Sequence, residues 1–189
     1  MARPKSEDKR NALMAAATHV IAAQGLSAPT AIIAREAGVS NGSLFTYFDT
    51  KADLFNNLYL QLKSGMAAAS LAGLPVDAPL REQFFQMWSN WMRWATSNPE
   101  RRRALALLDV SDEITQEARA ESHQAMAEVA GMLEEARSKG SMRDAPMDFV
   151  VAMMNSLAEA TMDFTINDPA NADAHHRVGF DALWRIVNG

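Results

Sequence analysis

Between Thr30 and Lys51 the chain sets out Thr30, Ser40, Asn41, Ser43, Thr46, Tyr47 and Lys51. These are aliphatic hydroxyls, an amide, a phenol and an ammonium. No carboxylate–histidine or nucleophile–base pairing stands among them. What they share is hydrogen bonding to phosphate oxygens and to base edges. Gly42 in their midst lets the backbone approach a surface closely. Leu44 and Phe48, four residues apart, mark the opposite side of the same short helix as the one that packs inward.

Elements that would position these groups are readable around them. Leu13, Ala16, Ala17, Val20 and Ile21 form a helical stripe that Gly25 closes. Thr30 is expected to cap a second helix whose inner side is Ile33, Ala34 and Ala37. Gly38-Val39-Ser40 makes a tight turn, and Ser40 caps a third helix through about Phe48. Thr50 and Asp53 resemble a capping box for a fourth helix through Leu54, Leu58 and Leu62. Two short helices across a glycine turn read as a helix-turn-helix or as an ordinary helical hairpin. The small polar face Asn41-Gly42-Ser43 favours the first, because it suits a groove edge and a helix start offers N–H donors to phosphate. Lys51 lies in a first helical turn, where the macrodipole disfavours a cation by about 0.3–1 kcal/mol, so an external anion would complement it.

Composition bounds the classes open to the chain. Its 189 residues are 48% hydrophobic, which is enough for a core, and cysteine is absent, so disulfides and thiolate chemistry are excluded. No signal peptide and no membrane-length apolar run is read, so a soluble, cytoplasmic protein without membrane association is the expectation. The net charge is −5, yet Arg3, Lys5, Lys9, Arg10, Arg35 and Lys51 outnumber Glu7, Asp8, Glu36 and Asp49 in the first 51 residues. A mildly basic head therefore precedes an acidic body, and the distribution matters more than the total.

Thr30-x-x-Ile33-Ala34-x-x-Ala37-Gly38-Val39-Ser40-x-Gly42-x-Leu44-Phe45-x-Tyr47-Phe48-x-x-Lys51-x-x-Leu54 resembles the DNA-binding signature of TetR-type transcriptional regulators, over about residues 8–55. Phe45 stands where tyrosine is frequent in that pattern, and Asn41 where lysine is often seen. The resemblance implies an all-α protein with a three-helix head, residues 1–50, and a ligand-binding and dimerisation body, residues 51–189, entered by a connector helix from Lys51. It implies a homodimer on a palindromic double-stranded DNA operator, acting as a repressor and released by a small-molecule effector. Position by position, Thr30, Ser40, Tyr47 and Lys51 would hold phosphates. Asn41, Gly42, Ser43 and Thr46 would face base edges, and Phe45 a thymine methyl.

In the body, helices are expected at 80–97, at 100–108, from a cap at Ser111 to about Gly140, from Pro146, and at the C-terminal end. Phe84, Trp88, Trp91 and Met92 crowd one helix, and Met126, Met153, Met154 and Leu157 can face it. Such a lining is either plain core or an adaptable pocket for an apolar or aromatic effector. Phe149, Phe164, Phe180, Leu183, Trp184 and Val187 form rich stripes on the last two helices, with small residues near Ala158 and Gly179. They suit a four-helix interface across a twofold axis or packing within one subunit.

No catalytic constellation is expected. His175 and His176 are adjacent and diverge by about 100° on a helix. No triad order, phosphate-binding glycine loop or metal-ligand spacing occurs, so neither a cofactor nor a metal is expected. The alternative to a regulator is a helical small-molecule-binding protein with weak or lost DNA binding.

Overall fold

The structure is a computed structural model that describes the backbone of residues 3–189 and the side chains of residues 6–189. Arg3 and Lys5, counted above in the basic head, have side chains outside the described set. Ten α-helices carry the described residues: α1 Arg3–Gln24, α2 Thr30–Glu36, α3 Asn41–Leu44, α4 Lys51–Leu71, α5 Leu80–Ser97, α6 Pro99–Asp109, α7 Gln116–Ala125, α8 Ala127–Arg137, α9 Met147–Asn167 and α10 Ala172–Asn188. A single 3-10 turn, Pro169–Asn171, joins the last two, and no strand occurs among the described residues. The chain forms two compact units. One joins the chain up to Ser64 with Asn98–Gln124; the other joins Gly65–Ser97 with Ala125–Gly189.

In the first unit α1 packs against α2 and α6. Leu13, Ala17, Ile21, Ile33, Leu44, Leu54 and Leu58 are almost wholly buried there. Gly38 ends α2 with φ +71°. The Val39 N–H reaches the Ala34 carbonyl at 2.9 Å and the Gly38 N–H reaches Arg35 at 3.1 Å, which is a Schellman closure. A Cβ on Gly38 would meet nothing within 4 Å, so its cost is purely the left-handed backbone. Gly38→Ala should therefore destabilise by about 1–2 kcal/mol, read from chemical denaturation; an unchanged midpoint would show that the turn adapts.

Two sequence expectations about this unit change. Thr30 is the first residue of α2 and not its cap: Pro29 holds the cap position and no side chain caps the helix. The third helix stops at Leu44, well short of Phe48. Thr46 turns its hydroxyl onto the Ser43 carbonyl at 2.7 Å, and the Thr46 and Tyr47 N–H groups bond only three residues back. Side-chain competition of this sort is why threonine weakens a helix end.

α6 and α7 are laced to α4 by polar contacts. Asn56 donates to the Glu113 carbonyl and accepts from the Thr115 N–H. Lys63 pairs with Asp109 at 2.9 Å, and the Tyr59 and Ser122 hydroxyls meet at 3.2 Å. The expected single helix from Ser111 to Gly140 is two helices. Ser111 instead closes a turn by accepting from the Glu113 N–H, and Thr115 provides the cap by accepting from Ala118. The break falls at Met126, where the chain passes from one unit to the other and the methionine turns into the second core.

That second core holds Phe84, Met87, Trp88, Met92, Val129, Leu133, Val150, Met154, Met162, Phe180, Leu183 and Val187. The Trp88 indole N–H donates to the His176 carbonyl at 3.0 Å, joining α5 to α10. Arg137 is buried, and its guanidinium donates to the carbonyls of Met142, Arg143 and Ala145 as well as to Glu134. Arg137 thus organises the loop that follows α8 instead of sitting in solvent.

His176 is 3% exposed and its Nε2 has no hydrogen-bond partner. Burial holds its imidazole below the ordinary value of 6.5; the Asp173 carboxylate opposes this, while Arg93 and His175 add to it. As pH falls through 6.5 the unfolded chain takes up a proton that the folded chain refuses, so stability falls below that value. His176→Leu should show a shallower loss of thermal midpoint between about pH 7.5 and 5.5 than the wild type. Parallel curves would remove His176 as the cause.

Candidate functional site

The polar groups singled out in the sequence are gathered on α2, the turn after it, α3 and the start of α4. Ser40, Asn41, Gly42, Phe45 and Thr46 are exposed, and Thr30, Ser43, Tyr47 and Lys51 are half-buried. Leu44 and Phe48 are buried behind them, as are Ile33 and Ala34. The element therefore buries one side completely and leaves small polar groups on the other. Ser40 Oγ accepts the Ser43 N–H at 3.1 Å, so the cap is filled while the hydroxyl proton stays available to a ligand. Thr46 spends its proton on Ser43, which leaves its methyl and its lone pairs outward. The Lys51 ammonium lies 5.3 Å from the Phe55 ring centroid, an interaction that offsets the unfavourable helix dipole.

Residues not singled out in the sequence fix this element in place. Arg10 on α1 donates to Asn57 Oδ1 at 2.8 Å and lies 5.5 Å from the Phe48 ring centroid. Asn57 in turn donates to Asp53 Oδ1 at 2.8 Å, and Asp53 Oδ2 accepts the Asp49 N–H at 3.0 Å. The Thr50 hydroxyl accepts the Asp53 N–H at 3.0 Å. The capping box expected at Thr50 is present, with its carboxylate reaching one residue further back. The network continues from it through α4 to α1. The four-residue spacing of Asp53 and Asn57 was the available signal; the partner on α1 had none.

The body residues divide differently from expectation. Phe84, Trp88 and Met92 have no exposed surface, and Met154 is 5% exposed. They are buried members of the second unit's core. Trp91, Met126 and Leu157 are half-buried against that core, and Met153 is half-buried on the outer side of α9. The stripes on the last two helices divide as well. Phe180, Leu183 and Val187 are 1%, 0% and 0% exposed inside their own subunit, and Trp184 is half-buried against the same core. Phe149 and Phe164 are 54% and 66% exposed on α9, with Val178 on α10 at 69%. At Gly179 there is a close approach within the chain, the second of the two arrangements that the small residues allowed: a Cβ there would lie 2.2 Å from Thr161 Oγ1.

Among the described residues no helix is long and apolar enough to cross a membrane, and no group of three or more metal-ligating side chains is placed to hold an ion.

Comparison with known proteins agrees with this geometry. Residues 13–58 match the family model of bacterial regulatory proteins, tetR family. A chain from Shewanella sp. PV-4, assigned to the tetR family of transcription regulators, has 25% identity and a TM-score of 0.83, over 93% of this chain and 96% of that one. A TetR family transcription regulator from Marinobacter aquaeolei VT8 has 21% identity and a TM-score of 0.84, over 96% of each chain. The TetR-like regulator LfrR from Mycobacterium smegmatis, solved with proflavine, has 17% identity and a TM-score of 0.68, over 93% of this chain and 95% of that one. These neighbours are regulators and not enzymes. Residues 13–58 thus carry the helix-turn-helix that the model of the tetR family of bacterial regulatory proteins describes, and the chain as a whole has the all-α fold of solved structures from that family.

Proposed function

We propose that the protein is a ligand-responsive repressor that binds a palindromic operator as a homodimer and is released by a small apolar or aromatic effector. The observation that supports this best is the head. The helix-turn-helix leaves Ser40, Asn41, Gly42, Phe45 and Thr46 exposed among the described residues. Thr30, Ser40, Tyr47 and Lys51 are the phosphate contacts in this reading. Asn41, Gly42, Ser43 and Thr46 face base edges, and Phe45, 41% exposed, a thymine methyl. Residues 1–50 then act as the DNA-binding head, and α4 is the connector into a ligand-binding and dimerising body through residue 189. The effector part draws support from structural neighbours solved with proflavine and with stearoyl-CoA.

Lys51→Ala tests the head. Binding to all duplexes should weaken alike, and the slope of log affinity against log salt should fall by about 1 for each phosphate that the ammonium no longer neutralises. An unchanged slope in a folded variant removes Lys51 from the interface. A wild type with no salt-dependent affinity for any duplex would instead favour a helical ligand-binding protein without DNA-binding activity.

A further inference from the structure

Within the second unit a cleft of about 350 Å³ opens between the first turns of α5 and the middle of α10, lined by Pro75, Arg81, Glu82, Phe85, Gln86, Arg177, Phe180 and Asp181. Its floor is aromatic: the Phe85 and Phe180 rings meet at 5.1 Å between centroids, 61° apart in plane. A guanidinium stands over each ring. Arg81 lies 5.6 Å from the Phe180 centroid, and Arg177 lies 5.4 Å from that of Phe85.

The two arginines are not equivalent. Arg81 is paired with the Asp181 carboxylate, which neutralises both charges. Arg177 makes no hydrogen bond or ion pair among the described residues, so its donor fork is held against a ring with every N–H unused. An arginine in that state suits bidentate recognition of a planar or tetrahedral anion. Glu82 also faces the cleft, in the first turn of α5 where the helix dipole stabilises its charge. With Glu82 present the cleft has little net positive field, which disfavours polyanions. One anionic group on Arg177 with an apolar body against Pro75 and Phe85 satisfies both features.

We propose that this cleft binds a small organic monoanion or phosphate monoester carrying an aromatic or aliphatic body, with Arg177 as the anion contact. It is a different place from the tryptophan-rich core, and it rests on the effector-responsive reading for its consequence while its chemistry stands alone.

The test is calorimetric titration of the full-length protein, without DNA, using 4-phenylbutyrate, phenyl phosphate and the uncharged 4-phenylbutan-1-ol. At least one anion should bind with one site per chain, and the alcohol should bind about tenfold or more weakly than it, the size of one charge-assisted hydrogen bond. Arg177→Gln should weaken the anion by a similar factor with a nearly unchanged unfolding midpoint, because among the described residues Arg177 makes no hydrogen bond or ion pair and only its contact with the Phe85 ring is lost. Arg177→Lys should fall between. Binding of neither anion, equal binding of the alcohol, or a wild-type response from Arg177→Gln overturns the site. Duplex affinity and its salt slope, measured on the same samples without ligand, report on the regulator separately. Failure of one result with the other intact shows which of the two readings falls.

Discussion

Trp88→Ala should lower the stability of the second unit by about 3–5 kcal/mol, the usual cost of truncating a fully buried tryptophan. Trp88 has no exposed surface, and its ring meets Trp91 edge-on at 5.9 Å between centroids. Its N–H bonds to the His176 carbonyl, so the substitution removes packing on α5 and also leaves an α10 acceptor buried without that donor. The sequence allowed a milder outcome, in which this side chain lines a pocket and its removal only blunts an effector response. Close packing argues otherwise. Chemical denaturation of the variant, with Trp91→Ala as the half-buried comparison, decides the matter. A change under about 1 kcal/mol for Trp88→Ala would show that the surrounding side chains enclose space that an effector can use.

Phe149→Asp combined with Phe164→Asp should give a monomer by sedimentation and weaken binding to a complete operator by about 10²–10⁴-fold. Both rings are more than half exposed, 54% and 66%, and lie along the outer side of α9 with Met153. Aromatic side chains bury on the order of 150–250 Å² each when covered, so leaving two in water is costly unless a second copy covers them. The large factor comes from geometry. A dimer places two heads on two half-sites at once, and separating them turns an intramolecular second contact into an independent one. Affinity for a single half-site should stay the same, because α2 and α3 belong to the other compact unit. A variant that sediments as the wild type does would move the interface off this face. The same substitution at Leu183 would be uninformative, since that side chain is wholly buried in its own subunit and an aspartate there would place an unpaired charge in the core.

The sequence by itself determined the elements whose signals are local. Gly25 and Gly38 stand at positive φ at the helix ends where glycine was expected to stop a helix. Proline opens α6 and provides the cap of α9. Ser40 caps α3 and Thr50 caps α4 through their own side chains. The polar face of the head was legible for the same reason: in a segment this short, the side that carries Leu44 and Phe48 leaves only the other for solvent. Tertiary structure alone decided which of two apolar stripes on the last helices is inside. A helical period shows that a face is apolar, but it does not say whether the surface that covers it belongs to the same chain. Phe180, Leu183 and Val187 pack on α5, while Phe149 and Phe164, equally apolar, face outward. The Arg10–Asn57–Asp53 network and the arginine–aromatic cleft were beyond reach on the same grounds. Arg10 and Asn57 stand 47 positions apart, and Arg81 and Phe180 further still, and no local pattern records a pairing that only the packing of helices creates.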